Sequence, residues 1–438
     1  MKELTIFLAT TCITLSLSAQ DDGVQDLDID ELVAVDLNKS SLPIDVDSVK
    51  ALSGSTINLG MLLPMSTLGG FSEEMIRAAQ LAVDEINASG KIMDKELFLI
   101  PADEASEVAI AVDKAKQLIK HYNVSGIIGP TTSSSFIKIV NDVLPENPVL
   151  AISPTATSIE ITELNDNDLA FRTAASDALQ GKTAAIFSAN NLGRKTAAIF
   201  YVDDVYGRGL AQEFKSNFIN SGGKIVGEDR YSPLVNLEDY DVTPRLSKIL
   251  ESKPEVLYLI STLVGIINIS HQIESAHLFE SYKPVIIGSD AVRSDQVMKN
   301  ANIMALEGMY CTSFKSIQGT SFEQKFHTRY GVKPKSEETA DAYDIVYLFA
   351  LAMLEAQSTD AKILSRHLRS ISSTGKKLTA KDIVEIRQLI EKGDDIDYEG
   401  LNSSLNFDLH GDVPDREYQI WQIVNGEFVR GVAHVNIK

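Results

Sequence analysis

The side chains best suited to bind a ligand in this chain are two runs of hydroxyl groups. Residues 131–135 follow the apolar segment 124–128, and residues 154–158 follow the apolar segment 149–153. Hydroxyl and backbone N–H groups bind small anions such as a carboxylate, above all at a helix N-terminus, where N–H groups are unpaired. An alternative interpretation is that these residues only cap helices. The repetition of the pattern after successive strands favours an anion site.

Carboxylates and one tyrosine form a second group of candidates further along the chain. Carboxylates bind cations, and an aromatic ring packs over an apolar stem. An anion site and a cation site in separate parts of the molecule suit a zwitterion that has an α-carboxylate and an α-ammonium. The candidate binding residues at predicted strand ends are Ser133, Thr155, Thr157, Asp177, Tyr206 and Asp290.

These residues must be positioned by alternating strands and helices. The predicted order strand-helix-strand-helix runs twice, with a junction at residues 172–177, and continuous apolar strands indicate parallel sheets covered on both faces. Ligands of such sheets bind at the carboxyl ends of the strands. We therefore predict two α/β lobes joined by a hinge, with a cleft between them. The predicted strands are 57–63, 97–101, 124–128, 149–153, 170–173, 196–201, 223–231, 256–261 and 284–288, and the helices between them include 73–88, 108–122, 180–190, 210–221, 242–251 and 265–276.

The last third of the chain adds helices and closing strands. We predict a strand at 309–314, helices at 322–330 and 340–357, and a charged helix at 374–396. Strands 404–407 and 418–423 are expected to close the sheets, with a hairpin turn at Asn425-Gly426. Residues 203–209 are predicted to form a loop.

Length, charge and the N-terminus limit the classes of function. The chain has 438 residues, of which 44% are hydrophobic, so it can bury two cores. Its formal net charge of −21 argues against a nucleic-acid partner. Residues 1–19 resemble a signal peptide cleaved near Ala19, and residues 20–55 read as a flexible acidic leader, or alternatively as a docking segment for a partner. We expect an exported protein without a membrane span.

Signatures of catalysis and of metal binding are missing from the sequence. It has no G-x-S-x-G, Walker, H-E-x-x-H or C-x-x-C motif, and its seven histidines are scattered. The acid-rich loops 165–168 and 408–415 could attract Ca²⁺, but they lack the full loop pattern and turn chemistry is favoured. Cys12 leaves with the signal peptide, so Cys311 is expected to be a buried thiol. We predict a protein that is not an enzyme and has no cofactor and no metal.

Short motifs distributed over the chain from residue 57 nearly to its end resemble a known family. They are similar to motifs of the type I periplasmic solute-binding proteins of the branched-chain amino acid/amide (Leu/Ile/Val-binding) class of ABC transporters, and they occur in the same order along the chain as in that family. The similar segments are INLGMLLPMS, AAQLAVDEIN, GIIGPTTSSS, ISPTATSIEIT, FRTAASDALQG, YVDDVYGRGLA, IIGSD, ADAYDIVYLFALAM and YEGLNSSLNFDLHGDV.

This resemblance implies a role for individual positions. Ser133 and Thr157, with the backbone of Thr155, match positions that bind the ligand carboxylate. Asp177 and Asp290 match positions that bind the ammonium. The remaining implied features are aromatic walls at Phe71 and Tyr206, and three crossovers between lobes near Ala175, Phe314 and Val413.

The chain also departs from the family pattern. Thr262 stands where amino acid binders often have an aromatic residue, which implies a roomier or differently shaped pocket. Asp290 is one methylene shorter than the usual glutamate. Ala105 and Thr132 replace the cysteines of a disulfide found in some members, and the leader and the 374–396 helix are additions.

The resemblance implies a domain division and a function. The N-terminal lobe would comprise residues 56–175 and 314–412, and the C-terminal lobe residues 176–313 and 413–438. We expect a monomeric periplasmic protein that captures an amino acid or related amine-bearing solute by hinge closure and delivers it to an ABC permease. The alternative is a ligand-sensing or scaffolding protein of the same fold that acts on a partner receptor.

Overall fold

The structure, a computed structural model, describes residues 50–51, 53–313, 320–414 and 418–433. The predicted signal peptide 1–19, most of the leader 20–55 and the predicted crossover residue Phe314 lie outside the described residues. Within those ranges, no helix combines the length and the apolar character that crossing a bilayer requires.

The first sheet has five strands, all parallel, in the order β2-β1-β3-β4-β5. All eight residues of β1 are buried, because helices cover both faces of the sheet, as expected for a parallel sheet. The elements are β1 (Thr56–Leu63), α1 (Gly69–Ser89), β2 (Glu96–Asp103), α2 (Val108–Lys120), β3 (Gly126–Ile128), α3 (Ser133–Asp142), β4 (Leu150–Ser153) and β5 (Ala170–Arg172).

The second sheet has seven strands in the order β14-β13-β10-β9-β8-β6-β7. Strands β6 to β10 pair in parallel, and the terminal hairpin β13-β14 is added antiparallel at the β10 edge. The elements up to β10 are α4 (Asp177–Ile186), β6 (Thr196–Val202), α5 (Val205–Asn220), β7 (Lys224–Tyr231), α6 (Thr243–Leu250), β8 (Val256–Ile260), α7 (Leu263–Ser275), β9 (Val285–Gly288), α8 (Asp295–Asn300), α9 (Ile303–Leu306) and β10 (Tyr310–Ser313).

The chain then returns to the first core before it ends in the second sheet. Helix α11 is buried from Thr339 to Met353 and packs against α1, which makes it the central helix of the first core. The chain therefore passes between the two sheets three times: after β5, after β10 and before β13. The remaining elements are α10 (Ser321–Tyr330), α11 (Glu338–Ala356), α12 (Ala361–Ser370), β11 (Lys376–Leu378), α13 (Ile383–Lys392), β12 (Ile396–Tyr398), β13 (Gln419–Val424) and β14 (Glu427–Ala433).

The predicted loop 203–209 is wrong, because α5 begins at Val205. The Asp204 carboxylate accepts a hydrogen bond from the Gly207 N–H at 2.8 Å and so caps the helix. A Cβ on Gly207 would lie 1.9 Å from the Val202 carbonyl oxygen, so only glycine fits there. Gly207 is therefore needed for close packing of the helix against β6, and Tyr206 lies in the first turn of α5.

The predicted helix 374–396 is wrong in part, because strands β11 and β12 flank the shorter helix α13. Gly375 has a φ of +108°, and a Cβ on it would lie 2.4 Å from the Asp395 backbone, which pairs with this segment. A capping box between Thr379 and Asp382 then starts a new helical segment.

The C-terminal strand predictions have a mixed outcome. Residues 404–407 form no strand, since Leu405 has a φ of +56°, outside the extended region. The hairpin turn at Asn425-Gly426 is confirmed, because both residues have positive φ and join β13 to β14. Helix α12 was not predicted from the sequence.

Candidate functional site

The two hydroxyl-rich turns lie side by side at one edge of the first sheet, because β3 and β4 are parallel neighbours. Thr155 Oγ1 donates a hydrogen bond to the Thr131 carbonyl oxygen at 2.7 Å. Ser133 Oγ accepts one from the Ser158 N–H at 3.1 Å. These bonds join the two turns into one unit.

The residues that cap helices at these turns differ from Ser133 and Thr157, which are predicted to bind the carboxylate of a ligand. The Thr132 side chain accepts from the Ser135 N–H and caps α3. Ser158 caps the short 3-10 turn that follows it. Ser133 and Thr157 are buried and are not the caps of these helices, so the capping interpretation does not account for them.

Glu104, which was not predicted from the sequence, forms hydrogen bonds with the first hydroxyl-rich turn. It is fully buried at the end of β2, and one carboxylate oxygen accepts from both the N–H and the hydroxyl of Thr131. Burial raises the pKa of Glu104 to about 7, although the two hydrogen bonds from Thr131 oppose this change. No sequence signal marked this residue, because its burial depends on the packing of three strand ends.

Asp177 lies at the first position of α4, facing the second hydroxyl turn. Its N–H donates to the Thr157 carbonyl oxygen at 2.8 Å, and its Oδ2 accepts from Thr157 Oγ1 at 3.1 Å. Asp177 is 0% exposed. Burial and, after it, the negative charge of Asp290 raise its pKa well above the usual value, while Arg172 acts in the opposite direction. The carboxylate is therefore poised for a cation that would stabilise its charge.

Asp290 follows β9 and lies close to Tyr206 and Asp177. The Tyr206 hydroxyl donates to Asp290 Oδ1 at 2.7 Å, across 84 positions of sequence. Burial raises the pKa of Asp290, and the nearby Gln180 and Tyr206 side chains lower it. The structure thus brings Thr157, Asp177, Tyr206 and Asp290 together, with contributions from both sheets.

Several buried polar atoms around these carboxylates have no hydrogen-bond partner with good geometry. Buried polar groups in folded proteins are normally paired, so unpaired ones indicate a function or a missing ligand. The Tyr258 hydroxyl is near both carboxylates, whose charges add to burial in raising its pKa. The unpaired atoms are Oδ1 of Asp177, both amide atoms of Gln180, the hydroxyl of Tyr258 and Oγ of Ser289.

The two sheets and their helices contact each other around this cluster. Thr157 is only 2% exposed and Asp177 is 0% exposed, whereas Tyr206 and Asp290 are partly buried, so the Asp177 side of the cluster is shielded from solvent. An ammonium group in this place would be shielded from water, which strengthens its interaction with carboxylates. The polar contacts between the two halves include Ser158 Oγ to the Val205 carbonyl at 3.2 Å, Arg293 Nη2 to Glu337 Oε1 at 3.4 Å and Lys335 Nζ to Asp295 Oδ2 at 3.1 Å.

Phe71 and Thr262 have different surroundings from the residues of this cluster. Phe71 is half-buried in the first turn of α1 and packs against the first core. Thr262 is exposed, and its hydroxyl accepts from the Gly265 N–H at 3.1 Å to cap α7. The Phe71 side chain thus contacts the first core, and the Thr262 side chain caps a helix.

Carboxylates of both acid-rich loops accept hydrogen bonds within the described part of the protein. Asp166 accepts from the N–H groups of Asp168 and Ala170. Asp408 accepts from the N–H groups of His410 and Asp412, as turn residues do. Asp412 also forms an ion pair with Arg172, with Nε and Oδ1 2.6 Å apart. Within the described ranges, no group of three or more His, Cys, Asp or Glu side chains could hold a metal ion.

Arg172 connects two of the passages between the sheets. It is 0% exposed and donates to both carboxylate oxygens of Asp412, to the Ser158 carbonyl oxygen and to the Thr162 hydroxyl. On the other side, the Tyr418 hydroxyl donates to the Ala175 carbonyl oxygen at 3.2 Å. The segments that follow β5 and precede β13 are therefore joined at both ends.

Comparisons with known proteins agree with this architecture. Residues 56–384 match the family model described as periplasmic binding protein. The Leu/Ile/Val-binding protein BraC3 of Rhizobium johnstonii is 32% identical over 209 residues, which are 47% of this chain and 55% of that protein, so the match spans about half its length. A leucine-, isoleucine-, valine-, threonine- and alanine-binding protein of Pseudomonas aeruginosa is 24% identical over 381 residues, 85% of this chain and 91% of that protein.

A solved structure gives the same fold. The crystal structure of a leucine-binding protein from Thermotoga maritima superposes with a TM-score of 0.70 at 21% identity, and the match covers 85% of this chain and 97% of that one. The fold is the type I periplasmic binding protein fold, as the resemblance in the sequence implied. Because the family model covers three quarters of the residues, this chain belongs to the periplasmic binding protein family.

Proposed function

We propose that this protein captures an amino acid or a related small amine-bearing solute between two lobes, closes around it by a hinge motion and delivers it to an ABC permease. The lobes would comprise residues 56–175 with 314–412, and 176–313 with 413–438. The proposed role is binding, without catalysis. The observation that carries the proposal is the buried oxygen of Asp177 that lacks a partner, in a cluster with Thr157 and Asp290.

In this proposal each part of the ligand has its own partners. The ligand carboxylate would bind Ser133, Thr157 and the backbone of Thr155 at the edge of the first sheet. The α-ammonium would bind Asp177 and Asp290. Phe71 and Tyr206 would form walls of the pocket, and Thr262 would leave more room than an aromatic residue. Removing one partner of a buried charged pair weakens binding strongly, because the other charge is left alone in a dry site.

Titration calorimetry of the mature protein, stripped of bound solutes by unfolding and refolding, tests the site. An amino acid should bind with one-to-one stoichiometry, and Asp177→Ala should lose measurable binding. Glu146→Gln, at an exposed position after α3, is a matched control and should bind normally. Full affinity in Asp177→Ala would refute the assigned site.

Delivery to a permease requires export and a membrane partner. We propose periplasmic localisation of a monomer, with residues 1–19 removed as a signal peptide. Crosslinking of the exported protein in cells with and without solute should capture permease subunits. Capture of a sensory receptor instead would support the alternative function, and an unchanged set of partners after deletion of residues 21–54 would exclude a docking role for the leader.

A further inference from the structure

The start of helix α11 packs against the turn that carries Asp290. Two ion pairs hold this contact: Arg293 to Glu337, with Nη2 and Oε1 3.4 Å apart, and Lys335 to Asp295, with Nζ and Oδ2 3.1 Å apart. Glu338, which follows Glu337 in the chain, is the first residue of α11. The first core thereby brings a carboxylate to the side of the cluster where Asp290 lies.

Glu338 is half-buried, and its carboxylate accepts a hydrogen bond from the Ser336 hydroxyl. Burial raises its pKa, and the negative charges of Asp341 and Asp290 raise it further. The candidate site thus contains three carboxylates, those of Asp177, Asp290 and Glu338. The sequence analysis assigned roles only to the first two.

Two basic side chains near this cluster, Arg172 and Arg293, are committed to other partners. The Arg172 guanidinium is bound by Asp412, and the Arg293 guanidinium lies between the rings of Trp421 and Phe428 and pairs with Glu337. One α-ammonium carries a single positive charge, whereas the cluster has three carboxylates. Isolated buried charges are costly, so a second cationic group would stabilise the ionised form of a further carboxylate.

A second observation points in the same direction. Ser289 and Gln180 are 0% exposed and lie beside Tyr206 and Asp290, but their side-chain contacts lack good hydrogen-bond geometry. A purely aliphatic ligand side chain would offer their oxygen atoms no better partner, whereas an ammonium group could donate to them.

We propose, on the basis of the proposed function, that the ligand is a dibasic amino acid whose second ammonium group is bound by Glu338 together with Asp290. Asp177 then binds only the α-ammonium, and Asp290, which also binds the α-ammonium in the proposed function, is shared by the two ammonium groups. Glu338 is therefore a residue that determines specificity, and it distinguishes this chain's ligand from an aliphatic amino acid.

Calorimetry with the stripped mature protein tests this by comparing L-lysine with L-norleucine, which differs only in lacking the second ammonium. We expect lysine, or the shorter ornithine, to bind at least about tenfold more tightly than norleucine, because a site built to pair a polar group rejects a ligand without it. Glu338→Gln should remove this preference while binding of norleucine changes little. Glu391→Gln, an exposed position on α13, should retain the preference.

The possible results separate this inference from the proposed function. Binding of norleucine or leucine as tightly as lysine would overturn the dibasic ligand and leave amino acid capture intact. An unchanged preference in Glu338→Gln, with thermal unfolding like that of the parent, would overturn the role of Glu338. Failure of every amino acid to bind would overturn both proposals.

Discussion

Replacement of Glu104 by glutamine should change how the stability of the protein depends on pH. Glu104 is fully buried, and burial raises its pKa from 4.5 to about 7. The folded state therefore holds the proton more tightly than the unfolded chain, so the stabilisation is complete below about pH 4.5 and is lost as the pH rises through about 7. At about 1.36 kcal/mol per pH unit, this interval corresponds to about 3 kcal/mol.

Glu104→Gln should be close to the parent in stability at pH 4.5 and more stable by about 3 kcal/mol at pH 8. Glutamine keeps an oxygen that can accept from the Thr131 N–H and hydroxyl, so the substitution removes the charge and preserves the hydrogen bonds. The measurement is urea unfolding of both proteins without ligand at several pH values, followed by tryptophan fluorescence and circular dichroism.

The exposed substitution Glu146→Gln serves as the control and should follow the parent at every pH. The informative quantity is the difference in free energy of unfolding between Glu104→Gln and the parent. A difference that stays constant from pH 4.5 to 8 would refute the argument, because it would mean that Glu104 titrates alike in the folded and unfolded chains.

Three further predictions concern Asp177, the pair Arg172–Asp412 and Cys311. Burial raises the pKa of Asp177, so the protonated Asp177 side chain stabilises the folded protein at low pH and this contribution is lost as the pH rises. Asp177→Asn should therefore make the ligand-free protein more stable at pH 8, as measured by urea unfolding. The same substitution should abolish ligand binding, as measured by calorimetry. Arg172→Met leaves the largely buried Asp412 charge without its partner and should cost about 3–5 kcal/mol in urea unfolding. A loss of about 1 kcal/mol or less, as for an exposed ion pair, would contradict the ion-pair argument. Burial raises the pKa of Cys311 to about 12, so in a Cys12→Ser protein this thiol should resist a disulfide reagent at pH 8 until urea unfolds the chain, and rapid labelling of the native protein would contradict this.

The parallel sheets could be predicted because their strands are continuous apolar runs separated by amphipathic helices. The first residues of helices were harder to predict from the sequence. Asp and Gly are common in loops, but here Asp204 caps a helix and Gly207 allows that helix to approach Val202. The three-residue strands β11 and β12 were missed because so short a pattern cannot be told from helix by periodicity, and their pairing depends on a positive φ at Gly375.

The candidate site shows the same division. The location of Ser133 and Asp290 at a sheet edge could be predicted, because each lies within a few residues of the end of a strand. Glu104 and Glu338 could not, since their significance lies in burial and in the approach of a helix from a distant part of the sequence. Local patterns carry no information on such approaches.

The bonds from Arg172 to Asp412 and from Tyr418 to Ala175 have a mechanical consequence. The segment that follows β5 and the segment that precedes β13 are bonded to each other at two points, so one cannot bend independently of the other. In the proposed hinge motion they would have to twist together, which restricts the directions in which the two lobes could move relative to each other.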